Sequence, residues 1–410
     1  MSNKNTNRIF TILFSILVLV EFRFFYLFPL PEIFSGSSSN KFLVSILCIC
    51  IFFVYIIIYK KIELGLFGKY LILLFIVLVI LILNEFAGRK YNIGAIIWYY
   101  LPFCILMVYF PFKKWIAEDK NYKYFIKFTS VASIILCILF IYQVISAKNN
   151  IFLYIDDMYR YNNQMKLRIY GVTDGLLRVF SIILLNDIFK NRFKNIMLEL
   201  FAFILIISSM IIVEQARFYL ICIILSCLLL YINYYGLKVN FTTMFIGILI
   251  FSLSFFFLYK NSASILGSIN ENTGSSYARM DAIKYYLENI FDNFIFGFGR
   301  IIPDQWSNKY LIVKGPYGIF NYDDIGIVGV LASMGAIIFL WYIFVAIKMI
   351  SVYRKSTPIS KSLIFLFLIS MLISSYLDNT RIICLALTFA WIDKEWSSNE
   401  KREQLYTDNN

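Results

Sequence analysis

The sequence predicts an all-α integral membrane protein, with about twelve transmembrane helices and a large extracytoplasmic loop carrying an amphipathic helix. Three observations lead there. Of 410 residues, 60% are hydrophobic and 15% charged, against about 25% charged in an ordinary soluble domain; mean hydropathy is +0.74. The apolar residues fall in long runs separated by short connections that carry the cations, the pattern of a polytopic chain. Late in the sequence one long polar interruption, Lys260 to Asp324, breaks that rhythm.

An apolar run of about 17 to 25 residues crosses the hydrocarbon as a helix, because lipid offers no partner to a free backbone group. In chain order the runs are Ile9 to Phe28, Phe42 to Tyr59, Tyr70 to Leu83, Ile93 to Phe110, Phe125 to Ile145 and Tyr170 to Phe189. Then come Ile196 to Val213, Phe218 to Tyr235, Phe241 to Tyr259, Ile325 to Ile347, Ile359 to Tyr376 and Ile382 to Trp391. The third and last are short. The first carries Glu21 and Arg23 near its end, and the sixth carries Asp174, Arg178 and Asp187. No small-residue cleavage pattern follows the first run, so it is read as a retained helix. No internal repeat is visible. The economical division is one membrane domain over 1–392, its large loop at about 260–324, and a polar tail of mixed charge over 393–410, expected to be disordered.

Cations in short loops set orientation. Lys4 and Arg8, Lys60, Lys61 and Lys69, Lys113 to Lys123, Lys190 to Lys194, and Lys348 to Lys361 fall on one side of the twelve-span count. Both termini are therefore expected in the cytoplasm, and the long connections Ser146 to Arg168 and Lys260 to Asp324 outside. This distribution accounts for the net charge of +13 without a nucleic-acid partner. The seven cysteines all lie within apolar runs and read as small buried hydrophobes. The chain has no histidine, which excludes imidazole as base or metal ligand. Asp156-Asp157 and Asp323-Asp324 lack supporting ligands, so neither a metal nor a cofactor is expected.

The charges near the outer helix ends are the functional candidates. Tyr277, Met280, Ile283, Leu287 and Ile290 recur at helical spacing, with Ser275 or Ser276 as cap, and place Arg279 on a helix lying flat on the membrane or on the bundle. Arg279 then meets lipid phosphates, pairs with Glu288, or binds substrate. Gly297 and Gly299 permit a tight turn whose amides, with Arg300, approach an anion; an ordinary turn is the plainer reading. Arg217 follows Glu214 at a helix end, where a capping pair is the simplest role. Arg168 stands at the entrance of the sixth span. Arg178 lies deeper, with Asp174 as its i−4 neighbour; a charge there costs about 2.5 to 3.5 kcal/mol on insertion scales, so it faces the bundle interior or a wet cavity. Together Arg168, Arg178, Arg217, Arg279 and Arg300 make a pocket for a strongly anionic group such as a lipid pyrophosphate, which guanidinium binds bidentately. Asp323 or Asp324 is then the carboxylate available as general base; N-capping of the next span is the alternative role.

In this order the motifs resemble the Wzy-type polymerases of O-antigen and capsular polysaccharide, within the O-antigen ligase/polymerase superfamily. The resemblance covers most of the chain as topology. Its local matches are Arg168-Ile169-Tyr170-Gly171, Ser208-Ser209 through Arg217, Arg279, Phe296-Gly297-Phe298-Gly299, and Asp323-Asp324 leading into Gly326 to Gly335. It implies metal-independent, inverting glycosyl transfer on the outer face of the bacterial cytoplasmic membrane. The substrates it implies are oligosaccharide repeat units on undecaprenyl pyrophosphate, as donor and acceptor, with a chain-length regulator and a flippase as associated partners. Arg168, Arg217, Arg279 and Arg300 match its outward-facing arginines. Ligase members carry a histidine near the end of the large loop. Here Asp323-Asp324 stands there instead, which favours polymerase over ligase and leaves the base open. The alternative from another class is a flippase or exporter of lipid-linked saccharide.

Overall fold

The computed structural model describes residues 3–28, 37–146, 153–154, 159–161, 167–169, 175–190, 196–214, 217–234 and 275–407. In chain order the described helices are α1 (Asn3–Glu21), α2 (Ser37–Tyr59), α3 (Gly68–Leu83), α4 (Ile93–Tyr100), α5 (Tyr109–Ile116), α6 (Asp119–Ser146), α7 (Leu176–Lys190), α8 (Ile196–Ser209) and α9 (Arg217–Tyr234). After a gap they continue as α10 (Ser275–Asn289), α11 (Asn308–Lys314), α12 (Gly326–Tyr353), α13 (Pro358–Ser370) and α14 (Ile382–Thr407). Wider π turns extend α3 over Asn84–Gly88 and α8 over Met210–Glu214. Strands β1 (Tyr159–Tyr161) and β2 (Leu167–Ile169) form a short antiparallel ribbon with Arg160 opposite Arg168.

Among the described residues, six helical stretches are long and apolar enough to cross a membrane: Asn40–Tyr59, Gly68–Gly88, Ile93–Ile116, Asp119–Ser146, Ile196–Glu214 and Gly326–Tyr353. Each matches a run expected from sequence. The runs assigned to α1, α7, α9, α13 and α14 are helical too, but shorter or more polar. The run Phe241 to Tyr259 lies outside the described residues. Within Ile93–Ile116 the helix tightens to 3-10 geometry over Leu101–Val108, where Pro102 removes an N–H and crowds the preceding turn. The first helix ends at Glu21 and gives way to a 3-10 turn at Phe24–Leu27, instead of running to Phe28.

Helix α14 is the inner post of the bundle. Every residue from Ile382 to Glu395 is buried, and the helix packs on α5, α7, α13 and the Leu101–Val108 turn. Such a helix has no lipid-facing side, which is why its apolar run is short. It also overruns the expected tail boundary. Asp393 is buried and accepts from the Leu66 N–H at 2.9 Å and from the Tyr109 hydroxyl, with Lys113 3.6 Å away. Beyond it the strong helix formers Glu, Lys, Arg and Gln carry α14 on to Thr407, so the expectation of a disordered 393–410 is corrected over that stretch.

The large loop is folded into the bundle. Gly335, with φ 75° and ψ −175°, breaks α12 into two helical pieces. An unbroken helix would bond the Ala336 N–H to the Ala332 carbonyl. Here the Ala332 carbonyl accepts from the Phe298 N–H at 2.7 Å, and Ser333 O from the Gly299 N–H at 3.1 Å. The freed Ala336 N–H donates to Phe294 O at 2.8 Å. Residues 294–299 thus form a plug in the break, roughly 15 Å along α12 from its first residue. Gly297 and Gly335 make this approach possible. A Cβ at Gly297 would lie 2.6 Å from the Ala332 carbonyl oxygen, and one at Gly335 would strike Ile295 O.

The plug corrects the expected role of the Phe-Gly-Phe-Gly turn, because the Gly297, Phe298 and Gly299 amides are consumed by Asn293 O and the opened carbonyls of α12 and do not face an anion. Helix α10 descends to it along α12. Its buried row is Ala282, Tyr286 and Ile290, against Phe298, Val313, Phe320 and Tyr322. Met280 and Leu287, expected on that face, are 57% and 44% exposed. The helix lies on the bundle, the second of the two placements foreseen for it.

If the plug depends on these two glycines, Gly335→Val should lower the thermal stability of detergent-purified protein by about 3 kcal/mol or more. Gly94→Ala, on an exposed helical turn with only Asn92 Oδ1 in ordinary contact, should leave it unchanged or slightly raised. A Gly335→Val protein that melts with wild type on size-exclusion thermal challenge would sink the account of the break.

Candidate functional site

Three backbone segments meet above the plug: residues 297–301, the 3-10 turn Tyr322–Asp324, and the connection 375–381 between α13 and α14. The plug delivers Arg300. Its guanidinium is 5% exposed, donates to Asp323 Oδ1 at 2.7 Å through Nη1, and to Leu377 O at 3.2 Å through Nη2. The third segment delivers Arg381. Its Nη1 donates to Asp323 O at 3.0 Å and stands 3.4 Å from Asp378 Oδ2, while Nη2 is 3.9 Å from Asp324 Oδ1. Ser375 N also bonds Asp323 O, at 3.3 Å. The Asp323 carbonyl therefore ties the turn to the start of α14, and its carboxylate ties it to the plug.

A second layer lies beside the first. The ring of Tyr219, near the start of α9, has the Arg178 guanidinium 3.4 Å from its centroid and that of Arg381 at 5.1 Å. Two cations on one ring are held apart by a polarisable face. Arg178 is buried, as expected for a charge within a span, but the carboxylate beside it is Glu214 at 3.8 Å, from the end of α8. Asp174, the partner foreseen for it, lies outside the described residues.

The electrostatics of the cluster are uneven. Four cations, Arg300, Arg381, Lys41 and Lys314, act on three carboxylates, Asp323, Asp324 and Asp378. Burial pushes the Asp378 carboxyl up, but Arg381, Lys41, the Thr380 hydroxyl and Arg300 outweigh it and bring it down to about 2. Burial also raises Asp323, and there it prevails over Arg300, with a further push from the Asp378 charge. One carboxylate is thus locked in its ionised form while its neighbour is the more basic. Exposure divides in the same way. The side chains of Asp323 and Asp324 are 22% and 29% exposed, against 5% for Arg300 and 7% for Arg381. The carboxylates are thus the partly exposed members and the guanidiniums the buried ones.

Of the residues singled out in the sequence, the structure brings Arg300, Asp323 and Asp324 together and links Arg178 to them through Tyr219 and Arg381. Arg279 is half-buried on α10 and shows no ion pair among the described residues; Glu288, offered as its partner, stands 4.0 Å from Lys284. Arg168 lies on β2 and Arg217 opens α9, and only their backbones are described. Asp156-Asp157 lies outside the described residues. Arg381, Asp378, Lys41, Glu85 and Arg89 were not foreseen. The signal for Asp378 and Arg381 was present: opposite charges three apart in the short connection between two runs, on the same side as the large loop.

The arrangement holds a partly exposed carboxylate of raised basicity beside buried guanidiniums. No protein-family model matches the chain, and no curated protein is significantly similar to it.

Asp378 gives this site its acid sensitivity. Its folded-state value lies below the ordinary ~3.9, so its contribution is fully present above about pH 4 and lost as pH falls toward about 2. In detergent, Asp378→Ala should cost about 3 kcal/mol by leaving Arg381 underpaired. Asp378→Asn should flatten the stability loss between about pH 4 and 2. An acid limb identical to wild type in Asp378→Asn would contradict this assignment.

Proposed function

We propose that the protein is a polysaccharide polymerase that joins oligosaccharide repeat units carried on undecaprenyl pyrophosphate. It works as a metal-independent, inverting glycosyltransferase at the outer face of a bacterial cytoplasmic membrane, with both termini inside. The observation that carries this reading is the Arg300–Asp323 pair: a partly exposed carboxylate, more basic than usual, held 2.7 Å from a buried guanidinium. In a chain without histidine this is the group suited to take a proton from a sugar hydroxyl.

The chemistry balances without a cofactor. Asp323 takes the proton of the acceptor hydroxyl, whose oxygen attacks the anomeric carbon of the donor. The bond from that carbon to the phosphate oxygen breaks, and undecaprenyl pyrophosphate leaves with the electron pair. Arg300 and Arg381 hold Asp323 in place, and in this reading Arg279, with Arg168 and Arg217 as the resemblance implies, meets the departing pyrophosphate. This division differs from a pocket of five arginines, because Arg300 is already engaged by Asp323. Sidedness draws support from the opposite ion cluster. Lys113 and Lys114 gather with Asp393 and Glu63, and Asp393 lies roughly 18 Å along α14 from Arg381, where the positive-inside pattern expects the cytoplasm.

The test is incubation of purified protein with synthetic lipid-linked repeat units. Wild type should give a ladder of products. Asp323→Asn should lose about 10² to 10⁴-fold in rate, and the wild-type acid limb should lie above ~3.9, the ordinary aspartate value. Arg279→Ala should insert normally yet accumulate single units, with Lys a poor replacement. Movement of labelled lipid-linked saccharide across the bilayer with no bond formed would decide for a flippase instead.

A further inference from the structure

Helix α3 is a membrane span whose outer end reaches the candidate site through one pair of side chains. Its π turn, Asn84–Gly88, carries Glu85, and Arg89 follows four residues later. The extra residue of a π turn shifts the phase of the helix end, a device frequent at functional sites. Here it sets both side chains against the plug. Glu85 is buried and pairs with Arg89 Nη1 at 3.0 Å. The same carboxylate oxygen accepts from the backbone N–H of Arg300 at 3.3 Å, and Arg89 Nη2 donates to the Gly297 carbonyl. Two residues of α3 therefore grip the loop at both ends of Gly297 to Arg300.

We propose that Glu85 and Arg89 are positioning residues for the Arg300–Asp323 pair, acting on it through the backbone of residues 297–300. Three features argue for this over a role in stability alone. First, a buried ion pair is commonly no more stabilising than well-packed apolar residues of the same volume. Second, besides the Tyr100 hydroxyl at Glu85, the pair bonds the main chain of the segment that carries Arg300, and one of these bonds is to the N–H of Arg300 itself. Third, the second glycine of Phe-Gly-Phe-Gly, already favoured by its φ of 103°, also leaves room for the pair. A Cβ at Gly299 would lie 2.8 Å from Glu85 Oε1 and would strike Arg89 Nη1, so the position is kept bare for the clasp. The plug sets how deep the loop sits, and the clasp sets where Arg300 departs from it. A displacement of about 1 Å at such a group is enough to cost about 10²-fold in rate.

The inference rests on the polymerase reading for its kinetic consequence, so the experiment has two arms. Purified wild type, Arg89→Ala, Arg89→Lys and Glu85→Gln are compared by hydrogen–deuterium exchange of residues 294–301, and by kinetics on synthetic lipid-linked repeat units. In Arg89→Ala the 294–301 amides should exchange at least about tenfold faster, with residues 338–352 of α12 unchanged. In the second arm kcat should fall about 10²-fold with KM nearly constant. Arg89→Lys should recover part of both losses, since ammonium can keep one of the two contacts but not the fork. If Arg89→Ala also loses protection over 338–352, it has unfolded, and Arg89→Lys and Glu85→Gln decide the matter. Unchanged exchange over 294–301, or unchanged kcat beside faster exchange, overturns the positioning role. Faster exchange in a protein whose wild type forms no product keeps the clasp and removes the polymerase reading.

Discussion

The exchange of backbone hydrogen bonds at Gly335 is the constraint from which the site follows. In hydrocarbon a helix cannot simply open, because each freed carbonyl and amide would be left without a partner at a cost of several kcal/mol. The break in α12 exists only because residues 294–299 supply replacements, Phe298 and Gly299 as donors and Phe294 as acceptor. Those bonds are indifferent to side chain, which is why the segment needs glycine at the closest approach and tolerates phenylalanine beside it. Once the plug is seated, the chain leaves it at Gly299, and Arg300 has little choice of place. The polar cluster is in this sense a consequence of main-chain bookkeeping inside the membrane.

What the cluster then does depends on which charges are buried. Five arginines read off the sequence suggested a positive pocket waiting for an anion. The structure engages two of them internally, Arg300 by Asp323 and Leu377 O, with Glu214 beside Arg178, and adds a sixth arginine, Arg381, held by the Asp323 carbonyl and Asp378. The edges of Asp323 and Asp324 remain partly exposed. The unequal basicity of Asp378 and Asp323 follows from asymmetry in the surroundings: burial raises both, but at Asp378 it is outweighed by Arg381, Lys41, Thr380 and Arg300, whereas at Asp323 it prevails over Arg300 and Arg381 with the Asp378 charge adding to it. Two carboxylates driven apart in this way are chemically distinct, one held ionised and the other more basic.

The helices were legible because lipid imposes a length and a composition on anything that crosses it. The apolar run Phe42 to Tyr59 marks the span Asn40–Tyr59 to within two residues, and Ile325 to Ile347 marks the start of Gly326–Tyr353 but stops six residues short of its end. Arg300 and Asp323 were legible as charges in the one long polar interruption. Their pairing was not, because it depends on the loop entering α12, and nothing local in Phe-Gly-Phe-Gly distinguishes a surface turn from a plug. Asp378, Arg381, Glu85 and Arg89 escaped for a related reason: each sits at a helix end in a short connection, where a charge usually means only the membrane boundary. The buried row of α10 was misread because Met280 and Leu287 are apolar enough to mark a core face, while the residues that pack are Ala282 and Tyr286, small and polar-tipped. Helix α14 runs past its expected end because a polar, mixed-charge composition also suits an exposed helix, its Glu, Lys, Arg and Gln being strong helix formers.

That last helix also shows how an apolar post is kept in register. Leucine and isoleucine surrounded by other apolar side chains can slide along the helix axis at little cost, since packing in such surroundings lacks the contrast with water that fixes depth in a soluble core. Helix α14 is pinned at two levels instead. At one end Arg381 is bound to the Asp323 carbonyl and Asp378; roughly 18 Å along, Asp393 is bound to Lys113, Tyr109 and the Leu66 N–H. A slip of one residue would move both sets by about 1.5 Å and turn them by about 100°, breaking the two together. The first set is part of the candidate site. Axial position, the arrangement of Asp323, and the closure of the opposite ion cluster are therefore one condition, met or lost as a unit.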